Sequence, residues 1–179
     1  TYLYTEEEFL AMKEELDVAV EEMISGIAEN DSLGEAEKAL LLHDRLALKC
    51  EYDYTYTQRD SYQGIVNGTA VCEGYAKSYA VLLNRVGIKN EYCISSALNH
   101  AWNVVYIDGK PYHVDVTWDD VAWDENERGV LGYVQHENFL RSTDGMKETN
   151  HTASDFISTP VDTTYDKAFW QTSESAFVL

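Results

Sequence analysis

The stretch Ala70-Val71-Cys72-Glu73-Gly74-Tyr75-Ala76 puts a cysteine where a turn is expected to become a helix. Asn67-Gly68-Thr69 before it is typical of a turn, and apolar residues after it recur at helical spacing until Gly87. In a first helical turn, backbone N–H groups and the helix dipole favour the thiolate of Cys72 and could hold an oxyanion. The alternative is an inert, buried thiol, which is the commoner role of a free cysteine.

Two alternating apolar-rich runs, 99–107 and 110–118, flank Asp108-Gly109 and predict a β-hairpin with a two-residue type I′ loop. In that register His100 and Asp115 are diagonal neighbours on one face, roughly 7–8 Å apart at the backbone, so their side chains can meet. A three-residue loop would put them on opposite faces. The register pairs Ile107 with Lys110, Trp102 with Asp115 and His100 with Thr117.

A cysteine nucleophile, a histidine base and a carboxylate that fixes the imidazole tautomer make a thiol acyl-transfer site. Cys72, His100 and Asp115 are the candidates for these three roles. The thioester that such a site forms is resolved by water in a peptidase or amidase, and by an amine in a crosslinking enzyme. The sequence leaves both outcomes open.

Residues 62–120 closely resemble the transglutaminase-like core of bacterial proteins. The matching motifs are 67–68, 70–76, 82–88, 100–105 and 112–120. The resemblance implies an α+β fold with a papain-like transglutaminase core, in which a nucleophile helix packs on an antiparallel sheet beside an N-terminal helical subdomain. It also implies that Cys72, His100 and Asp115 form the catalytic triad. The alternative is a non-catalytic cell-surface binding or scaffold module with this fold, against which the three intact residues argue.

The composition predicts one globular domain over residues 1–179, with 45% hydrophobic residues. Thirteen basic against 32 acidic residues give a net charge of −19, which disfavours nucleic acid and anionic membrane surfaces as partners. This charge attracts cationic or amine-bearing partners, or serves solubility alone. The expected partner is a protein or peptide substrate, cell-wall-associated ones included, and no apolar run is long enough to predict membrane insertion.

The chain begins at Thr1 without a signal-peptide pattern, so a trimmed or processed form is expected. Bacterial proteins of the kind it resembles are commonly exported. An extracellular or cell-surface location is therefore expected, while the oligomeric state is not predicted.

Residues 1–50 predict a helical cover. Thr5 and Glu8 have capping-box spacing at the start of a first helix, and Ser32 and Glu35 repeat that spacing at a second. His43, in the second helix, is expected on the helix surface or in a structural hydrogen bond. The apolar stripe of the first helix is Phe9, Met12, Leu16, Val20, Met23 and Ile27.

The tyrosine-rich segment 51–63 leads to Cys72 and is expected either to pack in the core or to line a substrate groove. Tyr62 and Gln63 are the candidates for adding a side-chain donor to the oxyanion hole. The candidates for groove walls are Trp102, Trp118 and Trp123.

No cofactor or metal site is predicted. Cys50 and Cys93 are expected to be buried and inert, a disulfide between them being the alternative. The acidic loop after the hairpin suggests calcium, but its spacing fits no EF-hand pattern, and a solvated loop near the mouth of the site is expected instead. Its acidic residues are Asp119, Asp120, Asp124, Glu125 and Glu127.

Overall fold

The protein is described by a computed structural model over residues 4–120, 133–151 and 159–177. The helices are α1 (Glu6–Ile24), α2 (Glu35–Lys49), α3 (Cys72–Arg85), α4 (Val116–Asp119) and α5 (Thr143–Glu148). The strands are β1 (Glu51–Tyr52), β2 (Thr69–Ala70), β3 (Asn90–Ser95), β4 (His100–Ile107) and β5 (Lys110–Val114). A π-helical turn spans Gln63–Asn67, and a 3-10 helix spans Phe169–Thr172.

An antiparallel sheet of order β3-β4-β5 forms one layer, and α3 packs on it. Asn103 on β4 donates to the Ala76 carbonyl on α3 at 3.0 Å, and the buried Tyr79 hydroxyl donates to Ala39 on α2 at 2.8 Å. The main core lies between these helices and the sheet. The α+β fold, with helix α3 packed on an antiparallel sheet and N-terminal helices beside it, is confirmed.

Helix α1 covers the core with its second half only. The Thr5–Glu8 capping box is confirmed, with the Glu8 N–H donating to Thr5 Oγ1 at 3.2 Å. Val20 and Ile27 are fully buried. Phe9, in contrast, is 60% exposed, so the prediction of a core position there is wrong, because the first turns of α1 extend beyond the body they pack on.

Helix α2 starts later than predicted. Gly34 is its N-cap, and the Glu37 carboxylate accepts from the Gly34 N–H at 2.8 Å. The predicted Ser32–Glu35 capping box is therefore wrong: Ser32 bonds the side chain of Asn30, and Glu35 accepts from the Asp108 N–H in the hairpin loop at 2.6 Å.

Cys50 caps the end of α2 and Cys93 lies in β3. Both thiols are buried, so the prediction that they are buried is confirmed, and no disulfide joins them. Within the described ranges, no helix combines the length and the apolar character that crossing a bilayer requires.

Candidate active site

Cys72 is the first residue of α3, and its side chain is half-buried. The approach to the helix is tied down where the Val71 N–H donates to the Gln58 carbonyl at 2.8 Å. Gly74 permits this close packing, because a Cβ there would come within 2.6 Å of the Ala70 side chain. The position of the thiol is thus set by backbone packing on both sides.

The start of α3 presents backbone N–H groups that have no acceptor within the helix. Its first intrahelical bond runs from the Tyr75 N–H to the Val71 carbonyl at 3.0 Å, so the N–H groups of residues 72–74 precede the helical ladder. Together with the positive end of the helix dipole, these groups favour negative charge at Cys72.

The hairpin has the predicted register. Ile107 pairs with Lys110, and the loop residues Asp108 and Gly109 have φ of 50° and 76°, as a type I′ turn requires. Pairing with β4 ends at Val114, one residue before Asp115, so the predicted Trp102–Asp115 and His100–Thr117 pairs do not form. The chain turns into α4 there, with Asp115 as its N-cap.

His100 and Asp115 nevertheless meet, as the diagonal register predicts. His100 Nε2 lies 2.5 Å from Asp115 Oδ2, with the two side chains 8% and 0% exposed. Burial alone would raise the pKa of Asp115, but the charge and hydrogen bond of His100 outweigh it and hold that pKa well below its usual range. Burial likewise opposes the charged imidazole, yet Asp115 and the Cys72 thiolate raise the pKa of His100 to about 10.

Cys72 and His100 line the same cavity, and the interaction between them shifts the pKa of both groups. A carboxylate can only accept, so His100 Nε2 must donate to Asp115, which leaves Nδ1 for the thiol. Burial raises the pKa of the Cys72 thiol, but the hydrogen bond and charge of His100, helped by the Ala101 backbone N–H, bring it below its ordinary value. The arrangement favours a thiolate–imidazolium pair.

Two cavities flank the His100 ring. The first, of about 370 Å³, is lined by Tyr52, Tyr54, His100, Thr117 and Trp118. The second, of about 240 Å³, brings Cys72 and His100 together with Arg59, Tyr92 and Ile94 at its wall. Of the two alternatives for the tyrosine-rich segment, Tyr52 and Tyr54 favour groove lining.

Several predicted site residues lie elsewhere. The Tyr62 hydroxyl donates to Glu15 on α1, and Gln63 accepts from Asn67 within the π-helical turn at 2.6 Å. Neither is among the residues that line these two cavities, so the prediction that they supply an oxyanion donor gains no support and stays a prediction. The π-helical turn, which Tyr62 precedes and Gln63 begins, directs the Tyr62 hydroxyl to α1 and the Gln63 side chain to Asn67.

The three tryptophans differ. Trp118 lines the first cavity, as predicted. Trp102 is 1% exposed and stacks behind His100 with ring centroids 5.6 Å apart, so it supports the ring and the prediction of a groove wall is wrong. Trp123 lies outside the described residues.

The acidic loop is not a solvated loop at its start. Asp119 is fully buried and accepts from the Asn138 N–H at 3.0 Å and from His43, while Asp120 is 6% exposed and accepts from the Tyr75 hydroxyl. That part of the prediction is wrong, because these two carboxylates turn inward to satisfy buried donors. Asp124, Glu125 and Glu127 lie outside the described residues.

Sequence reasoning missed His151 at this site. It is buried, and its Nε2 lies 2.9 Å from the Oδ2 of Asp115 that also bonds His100. His151 lies just beyond α5, in a part of the chain for which the sequence supported no prediction, and no local spacing links it to Asp115.

A second histidine–carboxylate cluster lies in the interior. His43 Nδ1 is 2.7 Å from Asp44 and its Nε2 is 3.1 Å from Asp119; His136 Nε2 is 3.0 Å from Asp44. His43 is thus hydrogen-bonded, as one of its two predicted roles requires, but it is buried and not on the surface.

The described residues contain two groups whose ligand atoms could surround a metal ion. They are His43, Asp44 and His136, and His100, Asp115 and His151. In both groups the facing atoms are already at hydrogen-bonding distances from one another, so each is complete without an ion.

Residues 21–116, more than half of the chain, match the family model of the transglutaminase-like superfamily. A TGase of known crystal structure shares 19% identity with this chain at a TM-score of 0.53, over 73% of this chain and 37% of its own. A proposed cysteine protease from Cytophaga hutchinsonii shares 21% identity at a TM-score of 0.46, over 57% and 37%. Among curated proteins, none matches this chain.

The chain belongs to the transglutaminase-like superfamily. It spans 37% of the length of each of these two structures. Membership of this family indicates a thiol-dependent catalytic role, which agrees with a half-buried cysteine that lines the same cavity as a histidine.

Proposed function

We propose that this protein catalyses acyl transfer from amide groups of protein or peptide substrates, with Cys72 as nucleophile, His100 as general base and acid, and Asp115 as the group that orients His100. The observation that carries the proposal is the division of the His100 nitrogens: Nε2 donates to Asp115 at 2.5 Å, and the other is left for Cys72.

The proposed reaction begins from the thiolate–imidazolium pair, in which the Cys72 proton is already on His100 Nδ1, and the thiolate sulfur attacks the amide carbonyl carbon. The N–H groups at the start of α3 stabilise the oxyanion. The carbon–nitrogen bond then breaks, the leaving amine takes the proton from His100, and a thioester remains on Cys72. Water or a second amine, deprotonated by His100, attacks the thioester and releases the thiol.

The decisive experiment follows alkylation of Cys72 by iodoacetamide across pH 5–9, read by mass spectrometry of the Cys72 peptide. The proposal predicts fast reaction already at pH 6, because His100 favours the thiolate. A rate that rises with a midpoint of about 8.5, as for a free thiol, would contradict it and favour a binding or scaffold module. Cys50 is an internal control, since burial raises the pKa of its thiol to about 12.

The acceptor is identified by incubating the protein with a glutaminyl peptide and a labelled primary amine. Label incorporation without hydrolysis identifies a crosslinking enzyme, and hydrolysis without incorporation identifies a peptidase or amidase. The net charge of −19 favours cationic, amine-bearing acceptors at the surface.

A further inference from the structure

His151 enters the site from outside the family core. The family match ends at residue 116, whereas His151 follows α5 and is fixed by its own backbone N–H, which donates to the Met146 carbonyl at 3.0 Å. Asn150 before it adopts the left-handed region at φ 68°, which turns the chain back toward the sheet. The ring of His151 thus reaches Asp115 Oδ2, the same oxygen that bonds His100.

The Asp115 carboxylate accepts four hydrogen bonds. The backbone N–H groups of Thr117 and Trp118 donate to Oδ1 at 3.0 and 3.3 Å. His100 and His151 donate to Oδ2 at 2.5 and 2.9 Å. Four bonds fill the acceptor capacity of a carboxylate, so Asp115 has one orientation in which all are satisfied. Without His151, the hydrogen bond from His100 would be the one left to Oδ2 among these four, and His100 is the ring that Asp115 orients.

The His151 ring is itself held firmly. Its centroid lies 4.1 Å from the Trp118 ring and 5.2 Å from Trp102, which it meets edge-on. Thr149 Oγ1 lies 3.2 Å from its Nδ1. Because the carboxylate can only accept, Nε2 of His151 carries a proton toward Asp115.

We infer that His151 is a positioning residue for the reaction: it donates to Asp115, fixes the carboxylate, and through it fixes the His100 ring against Cys72. This inference rests on the proposed function. His151 is 3% exposed and lines neither cavity, so it acts on the chemical step and not on substrate binding.

The test compares His151→Gln with His151→Asn. A glutamine amide reaches the position of Nε2 and keeps the donor, whereas the shorter asparagine does not. His113→Asn is the matched control, since His113 is also buried beside Trp102. The asparagine Oδ1 keeps the acceptor that Nδ1 offers to Trp102 at 3.1 Å, and only the contact of Nε2 with Thr143 at 3.1 Å is lost.

With kcat and KM measured on a peptide amide, we expect His151→Asn to lower kcat about tenfold at unchanged KM, and His151→Gln to stay within about threefold of wild type. Alkylation of Cys72 at pH 6 is expected to fall in the same order, at temperatures well below each unfolding midpoint. His113→Asn should keep the wild-type alkylation rate.

Equal kcat and equal alkylation in wild type and His151→Asn would overturn the inference, and so would equal losses in the Gln and Asn variants. Slow, free-thiol-like alkylation of the wild type itself would instead overturn the proposed function, and the inference with it. The alkylation rate of the wild type therefore tests the proposed function, and the ratio between His151→Gln and His151→Asn tests the role of His151.

Discussion

Two clusters in this protein each combine histidine and aspartate side chains, but the histidines have different hydrogen-bond partners. At the cavity, His100 places one nitrogen on a carboxylate and keeps the other for Cys72. In the interior, His43 places both nitrogens on carboxylates, those of Asp44 and Asp119. His43 is fully buried and both of its ring nitrogens face carboxylates, so we assign the inner cluster a structural role. The partner of the second ring nitrogen, a thiol at His100 and a carboxylate at His43, distinguishes the two clusters.

Charge follows from this difference. Burial opposes the imidazolium form of His43, but the two carboxylates raise its pKa to about 9. The inner cluster therefore joins α2, α4 and the segment that contains His136 as a buried ionic unit. In the proposed mechanism, the Cys72 thiol supplies the proton that His100 exchanges.

Removing the thiol is expected to have the largest effect. Cys72→Ala should lower kcat/KM by about a thousandfold or more, because no other group in the site can form the thioester. Cys50→Ala, a buried thiol outside the site, should leave kcat/KM within about twofold. Activity retained in Cys72→Ala would show that another nucleophile acts.

Exchanging one carboxylate in each cluster should separate activity from stability. Asp115→Asn should lower kcat about a hundredfold or more, because the amide can hold His100 in the wrong tautomer. Asp44→Asn should cost about 3 kcal/mol of unfolding free energy, since His43 and His136 would then contact a neutral amide and not a carboxylate. The kcat per folded molecule should stay unchanged. Urea unfolding and steady-state kinetics on both variants check this. The reverse pattern would break the distinction between the clusters.

Alkaline pH should weaken the inner cluster. The folded pKa of His43, about 9, lies above its unfolded value of 6.5, so its contribution is complete below pH 6.5 and is lost as pH rises through 9. That difference corresponds to about 3 kcal/mol. Urea unfolding between pH 6 and 9.5 should show this decline in wild type and a shallower one in Asp44→Asn. Parallel curves for the two proteins would contradict it.

The smallest effect is expected at the cavity wall. Trp118→Ala removes a wall of the first cavity and a ring 5.2 Å from His100, and should raise KM about tenfold with a smaller fall in kcat. Trp118→Phe retains an aromatic wall and should recover most of the loss. An unchanged KM in Trp118→Ala would place substrate in the other cavity.

The contact between His100 and Asp115 at the cavity could be predicted from short stretches of sequence. A two-residue loop fixes the register of β4 against β5, and that register puts His100 and Asp115 on one face. Turn chemistry likewise located Cys72 at the start of α3. Trp102 was misplaced because the alternation of residues along β4 predicts which face of the sheet a side chain lies on. It does not predict which other residues pack over that face.

The remaining features depend on contacts between distant segments. His136 and His151 reach carboxylates 92 and 36 residues away in the sequence, and neither contact leaves a local spacing. The same limit explains Asp119: an acidic run favours solvent, and only the fold supplies Asn138 and His43 as buried donors.

A histidine titration by ¹⁵N NMR tests the central claim most directly, because it follows both clusters in one sample. The account predicts that His100 keeps both ring protons through pH 8 and releases one near pH 10, with His43 releasing near 9. His113, whose pKa is lowered to about 3 by burial and the nearby His151, should stay neutral above pH 5. Loss of a proton from His100 near pH 6.5 would contradict the thiolate–imidazolium pair.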